Sequence, residues 1–139
     1  TAQVVGHQEK RALVPGGEFP PLFALLPAAA GRWIRDTFAS VMRMVPDGVP
    51  GRELPPLRTR RGVPFGVLLC YDNAFPGPAA AQVAAGARFL AVLSNESWFQ
   101  GGDQLRQLVA MSVLRARETA TPLVRCTQDG WTVAIGGDG

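Results

Sequence analysis

The residue best suited to covalent chemistry is Cys70, which ends the apolar run Gly66–Leu69 and leads into a polar turn. An apolar run of this length predicts a buried strand, and α/β folds place their functional groups at the carboxyl ends of such strands. A thiol at that point has main-chain N–H groups of the turn beside it, which favour a thiolate and an oxyanion. The alternative is an unreactive cysteine in a core strand, the commoner role of a free cysteine.

A second group of polar residues follows the next apolar run, Phe89–Ser94, and consists of Asn95, Glu96 and Trp98. A helix predicted at Ala79–Ala87 separates the two runs, which implies a parallel βαβ unit. Because neighbouring parallel strands end at the same edge of a sheet, we expect this group to lie near Cys70. A thiol with carboxylates, an upstream lysine and an aromatic wall suggests acyl transfer through a thioester.

The elements that would position these residues predict an α/β fold with a largely parallel sheet followed by a hairpin. Before the two strands, which are predicted at Phe65–Tyr71 and Phe89–Ser94, the sequence predicts a helix at Arg32–Met44 and an extended connection at Val49–Pro64. After them it predicts a helix that Asp103 caps and that runs to about Thr119, followed by hairpin strands at Leu123–Thr127 and Trp131–Ile135. Cys126, on the first hairpin strand, is expected to be buried.

Composition excludes several classes of function. The 139 residues are 47% hydrophobic and 18% charged, which describes one globular domain or part of one. A net charge of +3, with dispersed arginines, makes nucleic acid a poor candidate partner. A single histidine, His7, and no CxxC motif predict neither a metal site nor a cofactor. The apolar segment Phe19–Gly31 is too short and too interrupted by proline to span a membrane.

Several separate motifs together resemble the nitrilase (carbon–nitrogen hydrolase) superfamily, and within it the apolipoprotein N-acyltransferase branch. They are Lys10–Glu18 (KRALVPGGE), Leu69–Asp72 (LCYD), Ser94–Phe99 (SNESWF), Arg115–Glu118, Pro122–Arg125 and Asp129-Gly130. The resemblance covers the chain from about Lys10 to Gly139. It implies a partial α-β-β-α sandwich of the nitrilase type, with residues 1–139 forming a carbon–nitrogen hydrolase domain.

The resemblance also implies a Glu-Lys-Cys catalytic triad. Cys70 would be the nucleophile that takes an acyl chain from a phospholipid as a thioester. Lys10, with the main-chain N–H of Tyr71, would hold the oxyanion, and Glu18 would orient Lys10 or the loops of the active site. The triad glutamate, which is the family's general base, is expected upstream of Lys10. Nothing in Thr1–Glu9 occupies that position, so the chain is either a fragment of the domain or a protein without the base.

Further residues would form or support the pocket. The resemblance places Tyr71, Asp72, Asn95, Glu96 and Trp98 at the oxyanion site or in the pocket wall, and Glu118 and Arg125 behind them. This sequence departs from the expected pattern at several of these positions. Asp72 stands where we expect glutamate, and Glu96 stands where we expect aspartate. These two departures affect the expected choice of substrate and leave the expected fold unchanged.

The implied partners are a phospholipid acyl donor and a lipoprotein whose amino-terminal diacylglyceryl-cysteine accepts the acyl chain. The implied location is the periplasmic face of the bacterial inner membrane, reached through segments that are not in this chain. Two other functions remain open. One is a nitrilase-type amidase that hydrolyses a small amide through the same thiol, and the other is a non-catalytic remnant of the fold. The apolar residues of Phe19–Phe23 and of the Trp33, Ile34 and Phe38 helix face favour the lipid, unless they are ordinary core.

Overall fold

The computed structural model describes residues 3–19, 26–42, 48–99 and 102–139. The chain divides into two compact units, of which one comprises Thr1–Arg11 with Gly51–Gly139 and the other comprises Ala12–Pro50. Within the described residues, no helix combines the length and the apolar character that a membrane span requires.

The smaller unit contains helix α1, Ala28–Met42. This helix begins at Ala28 rather than at Arg32, because three consecutive alanines strongly favour the helical conformation. Trp33 is 69% exposed, so it does not belong to a core. The apolar segment at 20–25, the predicted helix end at 43–47 and the side chain of Phe38 lie outside the described residues.

The larger unit is built on a five-stranded sheet in which the strand order follows the sequence. Its strands are β1 (Leu57–Arg58), β2 (Pro64–Leu69), β3 (Leu90–Asn95), β4 (Leu123–Gln128) and β5 (Val133–Ile135), and its helices are α2 (Pro76–Ala84) and α3 (Asp103–Thr119). Strands β2, β3 and β4 are parallel, whereas β1 and β5 pair antiparallel at the two edges. The predicted α/β fold, its βαβ unit and its hairpin are therefore confirmed.

Helices α2 and α3 pack on one face of the sheet and form the core there. The core residues are Leu68, Ala79, Leu90, Val92, Ala116 and Leu123. Gly66 in β2 allows α2 to approach closely, since a Cβ atom there would lie 2.6 Å from Gln82 Cβ and 2.9 Å from Leu90 Cδ2. Full burial of each large apolar side chain contributes about 1.5–3 kcal/mol to folding. The core thus fixes the carboxyl ends of β2, β3 and β4 at one edge of the sheet.

The opposite face of the sheet carries exposed side chains, among them Leu93, Val124 and Cys126. The prediction that Cys126 is buried is wrong. Successive residues of a strand point to opposite faces, and β4 directs Leu123 and Arg125 toward the helices. Cys126 therefore lies on the face that the helices do not cover.

Several predicted element bounds need correction. Helix α2 spans Pro76–Ala84 rather than Ala79–Ala87, and β5 begins at Val133 rather than at Trp131. Strand β2 ends at Leu69 rather than at Tyr71, because residues Cys70–Ala74 form a 3-10 turn. Helix α3 begins at Asp103 as predicted, but its N-cap is Gly102 and no side chain caps it. Asp103 instead lies in the first turn, where a negative charge interacts favourably with the helix dipole.

Candidate active site

Cys70 is half-buried and lies at the first position after β2, where the chain turns sharply. Its φ angle is +51°, in the left-handed region that residues other than glycine seldom adopt. This conformation costs about 1–2 kcal/mol, and the surrounding structure must compensate for it. A strained turn between a strand and a helix is a known way of presenting a nucleophile at the end of a sheet.

The side chain of Asp72 stabilises this turn through hydrogen bonds to main-chain N–H groups. The carboxylate is 1% exposed. Its Oδ2 accepts a hydrogen bond of 3.0 Å from the main-chain N–H of Leu69. Its Oδ1 accepts another of 3.0 Å from the main-chain N–H of Arg11. Hydrogen bonds to a carboxylate are about twice as strong as those between neutral groups. Asp72 therefore holds both the Cys70 turn and the segment that carries Lys10.

The segment around Lys10 is also bound on its other side. The Lys10 carbonyl accepts a hydrogen bond of 2.8 Å from Gly51 N–H, and Glu9 Oε2 accepts one of 2.8 Å from Arg52 N–H. The hydrogen bond from Arg52 lowers the pKa of Glu9 below its ordinary value. Gly51 lacks room for a side chain, since a Cβ atom would lie 2.9 Å from the Lys10 carbonyl oxygen.

A buried ion pair lies near the carboxyl ends of the central strands. It joins Arg125 on β4 to Glu96, the residue after β3. Both side chains are 1% exposed. Burial lowers the pKa of the Arg125 guanidinium, and an electrostatic interaction with Cys70 acts in the opposite direction. The main-chain N–H of Glu96 donates a hydrogen bond of 2.9 Å to Gln128 O, which fixes the loop after β3 against β4.

A chain of polar contacts connects this ion pair with the Cys70 turn. Arg125 Nη1 donates to Ser112 Oγ over 3.2 Å, and Ser112 Oγ lies 3.3 Å from Asn73 Oδ1. Arg115 Nη1 contacts the Asn73 carbonyl oxygen at 3.4 Å, while its Nη2 pairs with Glu118 Oε1 at 2.8 Å. Sequence reasoning missed Ser112 and Asn73. The signal that could have found Ser112 is its spacing, since it lies four residues after Leu108 and four before Ala116 and so shares a helix face with two apolar residues.

The other predicted pocket residues lie at the same edge of the sheet or in the turn. Asn95 Oδ1 accepts hydrogen bonds from Ser97 N–H at 3.1 Å and from Ser97 Oγ at 2.7 Å. Trp98 is 63% exposed. Tyr71 packs edge-to-face on Phe75, with 5.2 Å between ring centroids.

The predicted residues thus fall into two sets. The larger unit holds all of them except Glu18, which lies in the smaller unit. There, Glu18 Oε2 accepts a hydrogen bond of 2.9 Å from Val14 N–H. Within the described residues, no group of three or more His, Cys, Asp or Glu side chains could hold a metal ion.

Comparison with protein families gives a match to carbon-nitrogen hydrolase over residues 1–138. The similar curated proteins include an apolipoprotein N-acyltransferase of Geobacter metallireducens, 35% identical over 95% of this chain and 23% of the relative. Another, from Gloeobacter violaceus, is 34% identical over 96% of this chain and 24% of the relative. The chain therefore spans about a quarter of the length of these relatives.

Solved structures with a similar fold include an amidase from Nesterenkonia sp., with a TM-score of 0.54 and 27% identity over 65% of this chain and 36% of that one. A mutant of this amidase shows covalent addition of the acetamide moiety of fluoroacetamide at the active site cysteine. A carbon-nitrogen hydrolase from Helicobacter pylori G27 has a TM-score of 0.56 and 18% identity over 65% of this chain and 39% of that one, which supports the fold. Together with the match over nearly the whole length, these findings place the chain in the carbon–nitrogen hydrolase family.

Proposed function

We propose that this chain is part of an N-acyltransferase that moves an acyl chain from a phospholipid, through a thioester on Cys70, to the amino terminus of a lipoprotein. The observation that carries the proposal is the Cys70 turn, which Asp72 binds to the segment bearing Lys10. The names of the relatives supply the reaction and the class of acceptor. The family supplies the precedent for covalent chemistry on a cysteine at the active site.

In the first half-reaction, the Cys70 thiolate attacks the carbonyl carbon of a phospholipid ester. A C–S bond forms, and the carbonyl electron pair moves to oxygen. The Lys10 ammonium and the main-chain N–H of Tyr71 would stabilise this oxyanion, because a cation and an oriented dipole are most effective where charge develops. When the intermediate collapses, the ester C–O bond breaks. The glycerol oxygen takes up a proton equivalent to the one that the thiol lost when the thiolate formed, and a lysophospholipid leaves.

In the second half-reaction, the amine of the lipoprotein's first residue attacks the thioester. A C–N bond forms, the C–S bond breaks, and the Cys70 thiolate is regenerated. The amine loses one proton to solvent as it becomes an amide. A thioester is activated toward amines, so the covalent intermediate divides one difficult transfer into two easier ones.

The remaining predicted site residues would support these two steps. Asp72 would position the nucleophile through its two main-chain hydrogen bonds. Glu18 would order the loop after Lys10, as its hydrogen bond to Val14 N–H suggests. Asn95 and Trp98 would form part of the pocket wall after β3. We place the reaction at the periplasmic face of the bacterial inner membrane, where the lipid donor and a lipidated acceptor meet.

A second candidate function is hydrolysis of a small amide through the same thiol. The observation that favours it is the similarity to the Nesterenkonia amidase, whose fold and active site cysteine serve amide substrates. The two functions share the thioester but differ in the acyl donor and in the acceptor, which would be water for the amidase.

The experiment that separates them uses the full-length protein in detergent with a phospholipid that carries a fluorescent acyl chain. A Cys126→Ser background removes the exposed second thiol. We expect an acyl adduct on Cys70, detected by intact mass and released by hydroxylamine, and no adduct with Cys70→Ala. Ammonia release from acetamide without any lipid adduct would instead establish the amidase. Absence of both activities would favour a non-catalytic protein.

A further inference from the structure

We infer that Arg125 is a positioning residue for the Cys70 thiolate. Oriented by Glu96, this buried cation holds the Cys70–Ala74 turn through Ser112 and Asn73 and favours the charged form of the thiol. The inference rests on the proposed role of Cys70 as nucleophile, and it assigns a function to an ion pair that the reaction scheme does not otherwise use.

The location of Arg125 is the first indication. It occupies an inward position of β4, beside core residue Leu123, and is 1% exposed. Removing a guanidinium from water costs several kcal/mol, and replacing a buried ion pair with apolar residues is often neutral or stabilising. An apolar side chain would serve the core at this position at least as well. The presence of the cation therefore requires an explanation other than packing.

The geometry of its contacts is the second indication. One side of the guanidinium faces Glu96, while Nη1 reaches Ser112 Oγ at 3.2 Å. Ser112 Oγ in turn lies 3.3 Å from Asn73 Oδ1, and Asn73 lies in the same 3-10 turn as Cys70. Asn73 Nδ2 also donates to the Leu108 carbonyl over 3.2 Å. Arg125 is thus connected by side chains to the turn whose strained conformation presents the thiol.

Charge is the third indication. Asp72 places a carboxylate in the same turn as Cys70, which opposes formation of a second negative charge there. The segment of Lys10 and Arg11 contacts this turn through a main-chain hydrogen bond, and the charged side chains that contact the turn or its partners from other elements are Glu96, Arg115, Glu118 and Arg125. Arg115 is paired with Glu118, and Arg125 interacts electrostatically with Cys70. Arg125 therefore offsets part of the unfavourable charge that surrounds the thiolate.

The test measures the rate at which acrylamide alkylates Cys70 as a function of pH, in the full-length Cys126→Ser protein. Arg125→Lys retains the positive charge but lacks the planar group with several N–H donors. The pH midpoint of alkylation should therefore stay the same, and the maximal rate of alkylation should fall. Glu96→Gln removes the opposing charge, so the midpoint should decrease. The double variant Glu96→Gln with Arg125→Met removes both charges, and its midpoint should lie above that of the reference protein, because the cation that favours the thiolate is gone. At pH 7, each unit of increase slows alkylation roughly threefold, because greater nucleophilicity partly offsets the loss of thiolate.

Arg106→Met, which removes an exposed arginine from α3, is the matched control and should leave the profile unchanged. A purely structural ion pair would alter the unfolding temperature of the variants without moving the midpoint. Unchanged midpoints in Glu96→Gln and the double variant would overturn the inference. If the double variant does not fold, Glu96→Gln and Arg125→Lys decide the question. If the full-length Cys126→Ser protein is not acylated by lipid, that result would instead contradict the proposed function.

Discussion

The main-chain N–H of Arg11 donates a hydrogen bond of 3.0 Å to Asp72 Oδ1, although the two residues are 61 positions apart in the chain. The second oxygen of the same carboxylate accepts the N–H of Leu69, the last residue of β2. One buried side chain thus holds two segments that carry a lysine and a cysteine. The carboxylate thus connects the segment that contains Lys10 with the turn that contains Cys70.

Asp72→Asn should therefore weaken both the fold and the site. Asparagine keeps one acceptor oxygen but presents an NH₂ group to one of the two N–H donors. We expect the free energy of unfolding to fall by roughly 2 kcal/mol, because a buried donor is left without its partner. Chemical unfolding measures this loss, and alkylation of Cys70 should slow in parallel. Asp36→Asn, at an exposed position of α1, is the control and should change stability by less than about 0.5 kcal/mol. Equal stability of the two variants would contradict the role given to Asp72.

Gly130→Ala, in the turn between β4 and β5, should disturb the buried ion pair of Glu96 and Arg125. A Cβ atom at Gly130 would overlap Glu96 Oε2 and lie 2.8 Å from Thr127 Oγ1. Glu96 is fully buried and cannot move away into water. We expect a loss of about 1–3 kcal/mol in the free energy of unfolding. Gly77→Ala in α2 meets no atom within 4 Å and should be neutral or stabilising. A neutral Gly130→Ala variant would show that Glu96 is not confined.

Ala120→Gly should stabilise the protein at the end of α3. Ala120 is the C-cap of this helix and adopts a left-handed conformation, with φ of +48°. Glycine reaches this conformation without the steric cost that a Cβ atom imposes, so a gain of about 0.5–1 kcal/mol is expected. Ala110→Gly in the exposed middle of the same helix should cost about 1 kcal/mol. Measured unfolding free energies that change in the same direction for both variants would refute this account of the helix end.

The attachment of the Lys10 segment should depend on pH through Glu9. The hydrogen bond from Arg52 N–H lowers the pKa of Glu9 in the folded protein relative to the unfolded chain. Its stabilising contribution is therefore fully present above the unfolded pKa and is lost as the pH falls through the folded one. NMR titration of the Glu9 carboxyl carbon should show a midpoint below the ordinary glutamate value. A midpoint at the ordinary value would contradict this contact, and Glu9→Gln should abolish the pH dependence of the Arg52 amide signal.

Local sequence patterns predicted much of the fold but few of its long-range polar contacts. The apolar runs that became β2 and β3, and the helix between them, were identifiable because burial and periodicity are local properties. The two-residue strand β1 was not, since Leu57–Arg58 lies among prolines and arginines and pairs only at the sheet edge. The left-handed conformation of Cys70 could not be foreseen either, because residues other than glycine seldom adopt it.

Strand β4 shows where the pattern misled. A cysteine is usually more buried than an arginine, so Cys126 was expected inside. The structure reverses this order, because Glu96 and Ser112 provide partners that make Arg125 acceptable in the interior. Such an exchange depends on Glu96, which follows β3, and on Ser112 of α3, and no pattern within β4 reveals either of them.

A single-turnover chase follows the acyl group that Cys70 would carry from a lipid to an amine. The full-length Cys126→Ser protein is first acylated with a fluorescent phospholipid and then mixed with a synthetic peptide that begins with diacylglyceryl-cysteine. We predict that the acyl group leaves Cys70 at the same rate as it appears on the peptide's amino group, and much faster than with an N-acetylated peptide. Release of the label as free fatty acid, at a rate that the peptide does not change, would contradict the transferase and indicate a hydrolase.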